Sequence, residues 1–270
     1  MGSRRSKKSK KKSKKPKIGV ILAQGQTQTQ NQENRFYIHA DTEKWIVDAG
    51  IEIVPIFPTI GKDEAVSIFA CIHGLYLQPG EPGDFSDMNL KNIQTSALFL
   101  TMAIESNKAG HYFPVWGTCM GLQQIVSHIG GVSIHSLKSF DSTDHRAPLT
   151  IVYPKSRLLQ YYGFENEKKI GEKEKLGEKI SEKVNPWFNN MLGIQTLNTA
   201  ASKILRVVAT ARDKKGAEFI AIVEGKTFPI YGVQFHPEKD SKFKWMSTFL
   251  RQELESKRNH ISRTRAHFME

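Results

Sequence analysis

Two short stretches of the chain carry residue types able to do covalent chemistry. The first is Gly117-Thr118-Cys119-Met120-Gly121, a cysteine with a glycine two residues away on either side. That spacing is the small-x-nucleophile-x-small form of an elbow, in which a strand turns sharply into a helix and presents its central side chain. Glycines at the flanks let a strained backbone close without Cβ clashes. A cysteine so placed sits at a helix N-terminus, where the positive end of the macrodipole favours a thiolate. The second stretch is His236-Pro237-Glu238, which ends the apolar run YGVQF. Proline biases the residue before it toward extended backbone, where positions i and i+2 point the same way, so Glu238 is expected to face the His236 imidazole. A carboxylate that fixes the ring tautomer and stabilises imidazolium is what a Cys–His pair requires. Each stretch alone has a plainer reading, as a buried small side chain and as a surface loop histidine. Their coincidence favours Cys119 as nucleophile, His236 as general base and acid, and Glu238 as its orienter.

Both stretches must then sit where elements end together. KIGVILA (17–23), IEIVPIF (51–57) and YFPVW (112–116) read as strands, and residues 36–49, 90–107 and 119–129 as helices. The run FACIHGLYL (69–77) reads as strand-like, with Cys71 as core packing, and leads into the turn-rich QPGEPGD. Strands alternating with helices predict a doubly wound α/β fold, flavodoxin-like, with a mostly parallel sheet and helices on both faces; ligands belong at its strand C-terminal ends. The second half is richer in strands: LTIVY, ILRVVATA, AEFIAIVEG and FPIYGVQ, with DKKG at 213–216 as a hairpin turn. Residues 155–184 are strongly charged and read as a solvated excursion with no chemical role. The polar, glutamine-rich stretch 24–32 reads as a connection near the mouth of the site. A helix over 242–257, with Trp245, Phe249, Leu250 and Leu254 on one face, closes the domain. The division expected is a basic tail at 1–17, a catalytic domain at 18–258 and a C-terminal extension at 259–270.

At 270 residues and 39% hydrophobic content the chain suits one α/β domain. Its formal charge of +12 is local, because residues 1–17 hold ten Lys or Arg and no acid, leaving about +2 elsewhere. The folded part is nearly neutral, which argues against a specific nucleic-acid partner. Cys71 and Cys119 cannot make a disulfide framework, and neither has a companion at zinc-ligand spacing; this fits a reducing compartment. No cleavable leader and no apolar window of membrane-spanning length is visible, so the expectation is a soluble protein, or one tethered from outside the bilayer. Met1-Gly2-Ser3-Arg4-Arg5-Ser6 fits the N-myristoylation pattern, and the basic run behind it would supply the second signal that holds an acyl chain on an anionic membrane. A plain cytoplasmic protein with a solvated or nuclear-targeting lysine tail, or a cloning-derived start, stands beside that reading.

The two stretches together resemble the class I glutamine amidotransferase-like superfamily with its Cys–His–Glu triad. YFPVWGTCMG (112–121), VEGKTFPIYGVQFHPEK (223–239) and FYIHADTEKWIVDAGIEIVPI (36–56) are similar, more narrowly, to the gamma-glutamyl hydrolase family. That resemblance implies a cysteine hydrolase of γ-glutamyl amide bonds, with folyl or antifolyl poly-γ-glutamates as the small-molecule substrate and no metal or organic cofactor. It implies the Met120 N–H as one oxyanion donor and another near Gly80, with Gln123, Asn190 and Gln234 as further substrate-binding candidates. The chain departs from the family pattern at four places. Pro79-Gly80-Glu81 stands for Pro-Gly-Gly, Asn190 for the histidine of an Asn-His-x-x-Gly segment, Gln123 for an acid, and Thr42 for a tyrosine of the first helix. The triad is intact while the recognition shell is altered. Two other functions therefore remain open, a glutaminase subunit that delivers ammonia to a synthetase and a catalytically silent binding protein. A homodimer is likewise open, and so is a secreted, lysosomal or vacuolar location, common among relatives.

Overall fold

The computed structural model describes residues 15–24, 36–80, 87–167 and 185–267. In the first half, β1 (Lys17–Ile21), β2 (Ala23–Gln24) and β3 (Phe36–Tyr37) precede α1 (Ala40–Asp48) and β4 (Glu52–Ile56). There follow α2 (Lys62–Cys71), β5 (Gly74–Leu77), α3 (Asp87–Lys108), β6 (Val115–Thr118) and α4 (Met120–Gly130). The second half holds β7 (Lys138–Arg146), β8 (Thr150–Ile151), α5 (Arg157–Glu167), β9 (Trp187–Gly193) and α6 (Thr199–Ile204). It ends with β10 (Leu205–Arg212), β11 (Glu218–Gly225), β12 (Ile230–Val233) and α7 (Lys244–His267).

Consecutive apolar residues suit a strand covered on both faces. β5, β6 and β12 are buried at every position and lie side by side at the centre of an eight-stranded sheet of order β4-β1-β5-β6-β12-β11-β10-β8. The five strands from β4 to β12 run parallel, and β11, β10 and β8 extend the sheet by antiparallel pairing. Trp45 and Ile46 of α1, Leu158 and Leu159 of α5, and Phe249, Leu250 and Leu254 of α7 fill one face. Ala65 of α2, Phe99 and Leu100 of α3, Leu122 and Ile125 of α4, and Ala201 of α6 fill the other. This is the doubly wound α/β fold expected. The hairpin at 213–216 is also present: Gly216 takes φ +83, and Asp213 Oδ1 accepts from the N–H groups of Lys215 and Ala217.

Register decides where the chemistry meets. Leu77 pairs with Gly117 and Val233 with Thr118, so the residues leaving β5, β6 and β12 emerge together at one edge of the sheet.

Several elements differ from the sequence expectation. The run 69–77 is not one strand, because its first residues complete α2, and Cys71 is exposed at that helix's end instead of packed in the core. KDEAVSIFAC places Ala65, Ile68 and Phe69 toward the core at helical spacing, a pattern masked by the apolar residues that follow. The first helix begins only at Ala40, since Phe36–Tyr37 pairs with Ala23–Gln24. The charged excursion starts with α5, whose Leu158 and Leu159 are core residues. β7 and β9 form a separate antiparallel ribbon that composition does not announce, because KSFDSTDHR is mostly polar and its pairing is broken by register shifts. α7 runs to His267, through the boundary expected at 259. The basic tail up to residue 14, most of the glutamine-rich stretch, Glu81 and residues 168–184 lie outside the described residues. Among the described residues no helix is long and apolar enough to cross a membrane.

Candidate active site

The end of β6 is pinned before it turns: the Thr118 hydroxyl accepts from Tyr76 Oη at 2.9 Å and from Trp116 Nε1 at 3.1 Å. Cys119 then takes φ 54 and ψ −107, and α4 starts at Met120. Positive φ in a side-chain-bearing residue costs on the order of 1–3 kcal/mol and persists only where its surroundings enforce it. Here the enforcement is close packing. A Cβ on Gly121 would stand 2.1 Å from the Leu77 carbonyl oxygen, and one on Gly117 would stand 2.5 Å from the Gly121 carbonyl carbon. The Cys119 N–H donates to Val233 O at 2.8 Å, which ties the elbow to β12. The cysteine is 5% exposed and caps α4. Behind it runs a buried string of amides. Gln234 Nε2 lies 3.5 Å from Sγ, and Gln234 Oε1 accepts from Gln123 Nε2 at 3.1 Å, which also donates to Leu192 O at 2.8 Å.

His236 and Glu238 meet as expected, with Nδ1 and Oε1 2.8 Å apart, but the backbone that brings them together is different. Pro237–Lys239 is a turn of 3₁₀ helix, entered from His236 at φ −106 and ψ 87, so the pair closes around a turn and not along an extended chain. The Trp187 ring packs on the imidazole with centroids 5.2 Å apart, and Lys239 Nζ stands 5.0 Å over the indole. Asp144, itself at φ 44, holds this wall: its Oδ1 accepts from Trp187 Nε1 at 2.8 Å, and its N–H donates to Asn189 Oδ1 at 3.2 Å.

With Nδ1 engaged by the carboxylate, Nε2 of His236 is buried without a hydrogen-bond partner, and so is Glu238 Oε2. Burial acts to lower the imidazole pKa, but the charge of a Cys119 thiolate and the contact with Glu238 outweigh it and raise the pKa to about 10. The arrangement therefore favours imidazolium at neutral pH.

Cys119, His236 and Glu238 line one open cleft with Pro79 and Gly80 of the loop after β5. The cleft is also lined by His39 and Asp41 from the start of α1, Asn189 from β9, and Lys239. Met120 side-chain atoms pack on Gly80, where a Cβ would stand 2.2 Å from Met120 Cε. Asn190 is 1% exposed, donates to Leu192 O at 3.2 Å and lies on the buried face of β9; the cleft residue of that strand is its neighbour Asn189. Thr42 is buried in α1, and Gln123 and Gln234 stand behind the sulfur, outside the cleft wall. Burial along β9 alternates, with Phe188 and Asn190 in and Asn189 and Met191 out, so a strand assignment would have found Asn189. His39 had no such local signal. Burial lowers its pKa, and its ring Nε2 lies 3.2 Å from Pro79 O. Among the described residues no group of three or more His, Cys, Asp or Glu is arranged to hold a metal ion.

The chain is similar to known proteins in sequence and, separately, to solved structures in fold. The family model described as peptidase C26 matches residues 16–238. The chain is similar to the gamma-glutamyl hydrolase of Mus musculus, 30% identical over 232 residues that cover 85% of this chain and 69% of that protein. It is 29% identical to the gamma-glutamyl hydrolase of Homo sapiens over 230 residues, with the same two shares. Among solved structures it resembles a candidate GMP synthase component from Thermoplasma acidophilum. The TM-score is 0.59 at 17% identity, covering 92% of this chain and 98% of that one, which is a likeness of fold.

Proposed function

The chain belongs to the peptidase C26 family, and from that premise we propose that it hydrolyses γ-glutamyl amide bonds with Cys119, His236 and Glu238 as its catalytic set. The Cys119 thiolate attacks the γ-carbonyl carbon, forming a carbon–sulfur bond and an oxyanion that accepts from the N–H groups of Met120 and Gly80. As the tetrahedral centre collapses, the carbon–nitrogen bond breaks and His236 Nε2 gives its proton to the departing amine. Water then enters, His236 takes a proton from it, and the thioester opens to a free γ-carboxylate and the regenerated thiolate. Glu238 keeps Nδ1–H engaged, so that Nε2 is always the nitrogen that trades protons.

One observation carries this reading: His236 has Nδ1 committed to Glu238 and Nε2 unpartnered, in the same cleft as a cysteine held at positive φ. The substrate class is folyl or antifolyl poly-γ-glutamate, a proposal supported by the relatives named gamma-glutamyl hydrolase. Lys239, the Lys or Arg side chain among the described cleft residues, faces the α-carboxylate such a chain repeats at every unit. Product chromatography from a pentaglutamate folate, with free glutamine in parallel, tests both levels. Shortened folates and no preference for glutamine are expected. Efficient ammonia release from glutamine alone would replace this reading with the glutaminase one.

A further inference from the structure

Resting on that reaction, we infer that His39 is a positioning residue that sets the oxyanion site, by holding the Pro79–Gly80 peptide plane. A carbonyl oxygen only accepts, so the 3.2 Å contact of His39 Nε2 with Pro79 O requires a proton on Nε2 and fixes the ring's tautomer. The described backbone has no cis peptide bonds, and in a planar trans peptide the C=O and the following N–H point in opposite directions. Clamping Pro79 O toward His39 therefore turns the Gly80 N–H away from His39, in a residue that packs against Met120 and lines the same cleft as Cys119.

The clamp itself is anchored. His39 N donates to Gln78 Oε1 at 3.2 Å, while Gln78 Nε2 donates to Ile21 O at 2.8 Å and to Tyr37 O at 3.3 Å. One buried amide thus ties together the end of β1, β3, the start of α1 and the loop that carries Gly80. On the other side the Met120 side chain packs against Gly80, where a Cβ would stand 2.2 Å from Met120 Cε. The loop is held from both flanks, and His39 is the flank that controls the rotation of the peptide.

His39→Ala and His39→Gln distinguish this role from others, because the glutamine amide can still donate to Pro79 O. Losing one oxyanion donor costs roughly 10²–10³ in kcat, and loosening one should cost less. The expected result is that His39→Ala lowers kcat by about 10- to 100-fold with KM within about threefold, and weakens a peptide aldehyde inhibitor in proportion. His39→Gln should recover most of both. Hydrogen exchange of the segment 76–80 should quicken in His39→Ala and not in His39→Gln, whatever the substrate. Unchanged exchange in His39→Ala would overturn the clamp even in an active enzyme. A loss confined to KM, or an equal loss in both variants with a moved pH profile, would assign His39 to substrate contact or proton transfer instead. A wild type inert toward every γ-glutamyl compound would defeat the proposed reaction while leaving the exchange result standing.

Discussion

Two buried carboxylates in this molecule sit in opposite kinds of surroundings. Glu253 of α7 is 2% exposed, and its oxygens are fully engaged: Oε1 accepts from Arg157 at 2.8 Å, and Oε2 accepts from Tyr231 at 2.9 Å and from Tyr112. Burial first, and then the charge of Glu253, raise the pKa of both tyrosines, so their hydroxyls act as donors. Glu238 is as deeply buried but uses Oε1 alone, and the imidazole it holds keeps Nε2 without a partner. An unmet polar atom inside a protein costs roughly 1–3 kcal/mol, so a fold retains one only where something else requires it. A cluster that closes every valence serves stability; one that leaves a buried, proton-carrying nitrogen without a partner at a site that also holds a strained cysteine serves chemistry.

The strongest test of that contrast is Cys119→Ala. Hydrolysis of a γ-glutamyl substrate should fall by roughly three or more orders of magnitude. The melting temperature should stay within about 2 °C, since one small buried side chain gives way to another. Substantial residual turnover in a folded variant would remove Cys119 from the catalytic set. Glu238→Gln comes next: the amide oxygen can still accept from Nδ1 but cannot stabilise imidazolium equally, so the loss should be large yet smaller than for Cys119→Ala. Equal losses would mean that the carboxylate does more than orient the ring.

Glu253→Gln should show the reverse signature. The amide nitrogen must face either Arg157 or both hydroxyl donors, and Arg157, itself about half exposed, loses its ionic partner. The expected cost is about 1–3 kcal/mol in urea unfolding, with kcat within about twofold. A selective loss of activity at unchanged stability would erase the distinction between the two clusters. A titration sharpens it further. The His236 pKa, raised to about 10 by the thiolate and Glu238 against burial, should fall in Cys119→Ala because one source of negative charge is gone. A folded-state pKa above the unfolded one means stability that is complete below about pH 6.5 and is lost as pH rises toward 10. Histidine NMR on the two proteins would read the shift, and an unmoved resonance would show that the sulfur is not the imidazole's charge partner.

The parts of the site that were legible in sequence are those whose geometry is local. Gly117 and Gly121 prescribe the elbow within one short stretch, because a Cβ on Gly117 would meet the Gly121 carbonyl. His236 and Glu238 are two residues apart, so they could meet in more than one backbone conformation, and they did so in one not anticipated. His39 depends on elements distant in sequence. α1 reaches the cleft only because β1 lies between β4 and β5 in the sheet order, and nothing near residue 39 announces that. The same reason hid the core role of Leu158 and Leu159, whose charged neighbours dominate the local composition while the contacts that bury them come from α7.

β9 gives the finest test, because it separates a reading by likeness from one by alternation. Likeness placed a pocket residue at Asn190, whereas strand periodicity puts Asn190 inward, with Oδ1 buried and unpartnered, and Asn189 toward the cleft. Histidine at 190 would enter space already bounded by the nearby Gly193 backbone and the Phe140 ring that packs against it. Overpacking of that kind costs about 1–3 kcal/mol, so Asn190→His should lose stability and gain no turnover. At 189 the side chain is exposed, and an imidazole nitrogen can still accept from the Asp144 N–H as Asn189 does. Asn189→His should therefore fold normally and change γ-glutamyl turnover a few-fold. Slipping a strand by one residue exchanges its faces entirely. Raised turnover in Asn190→His with unchanged stability would thus mean that β9 presents the opposite face to the cleft, and that the wall around Trp187, Asp144 and His236 must be rebuilt with it.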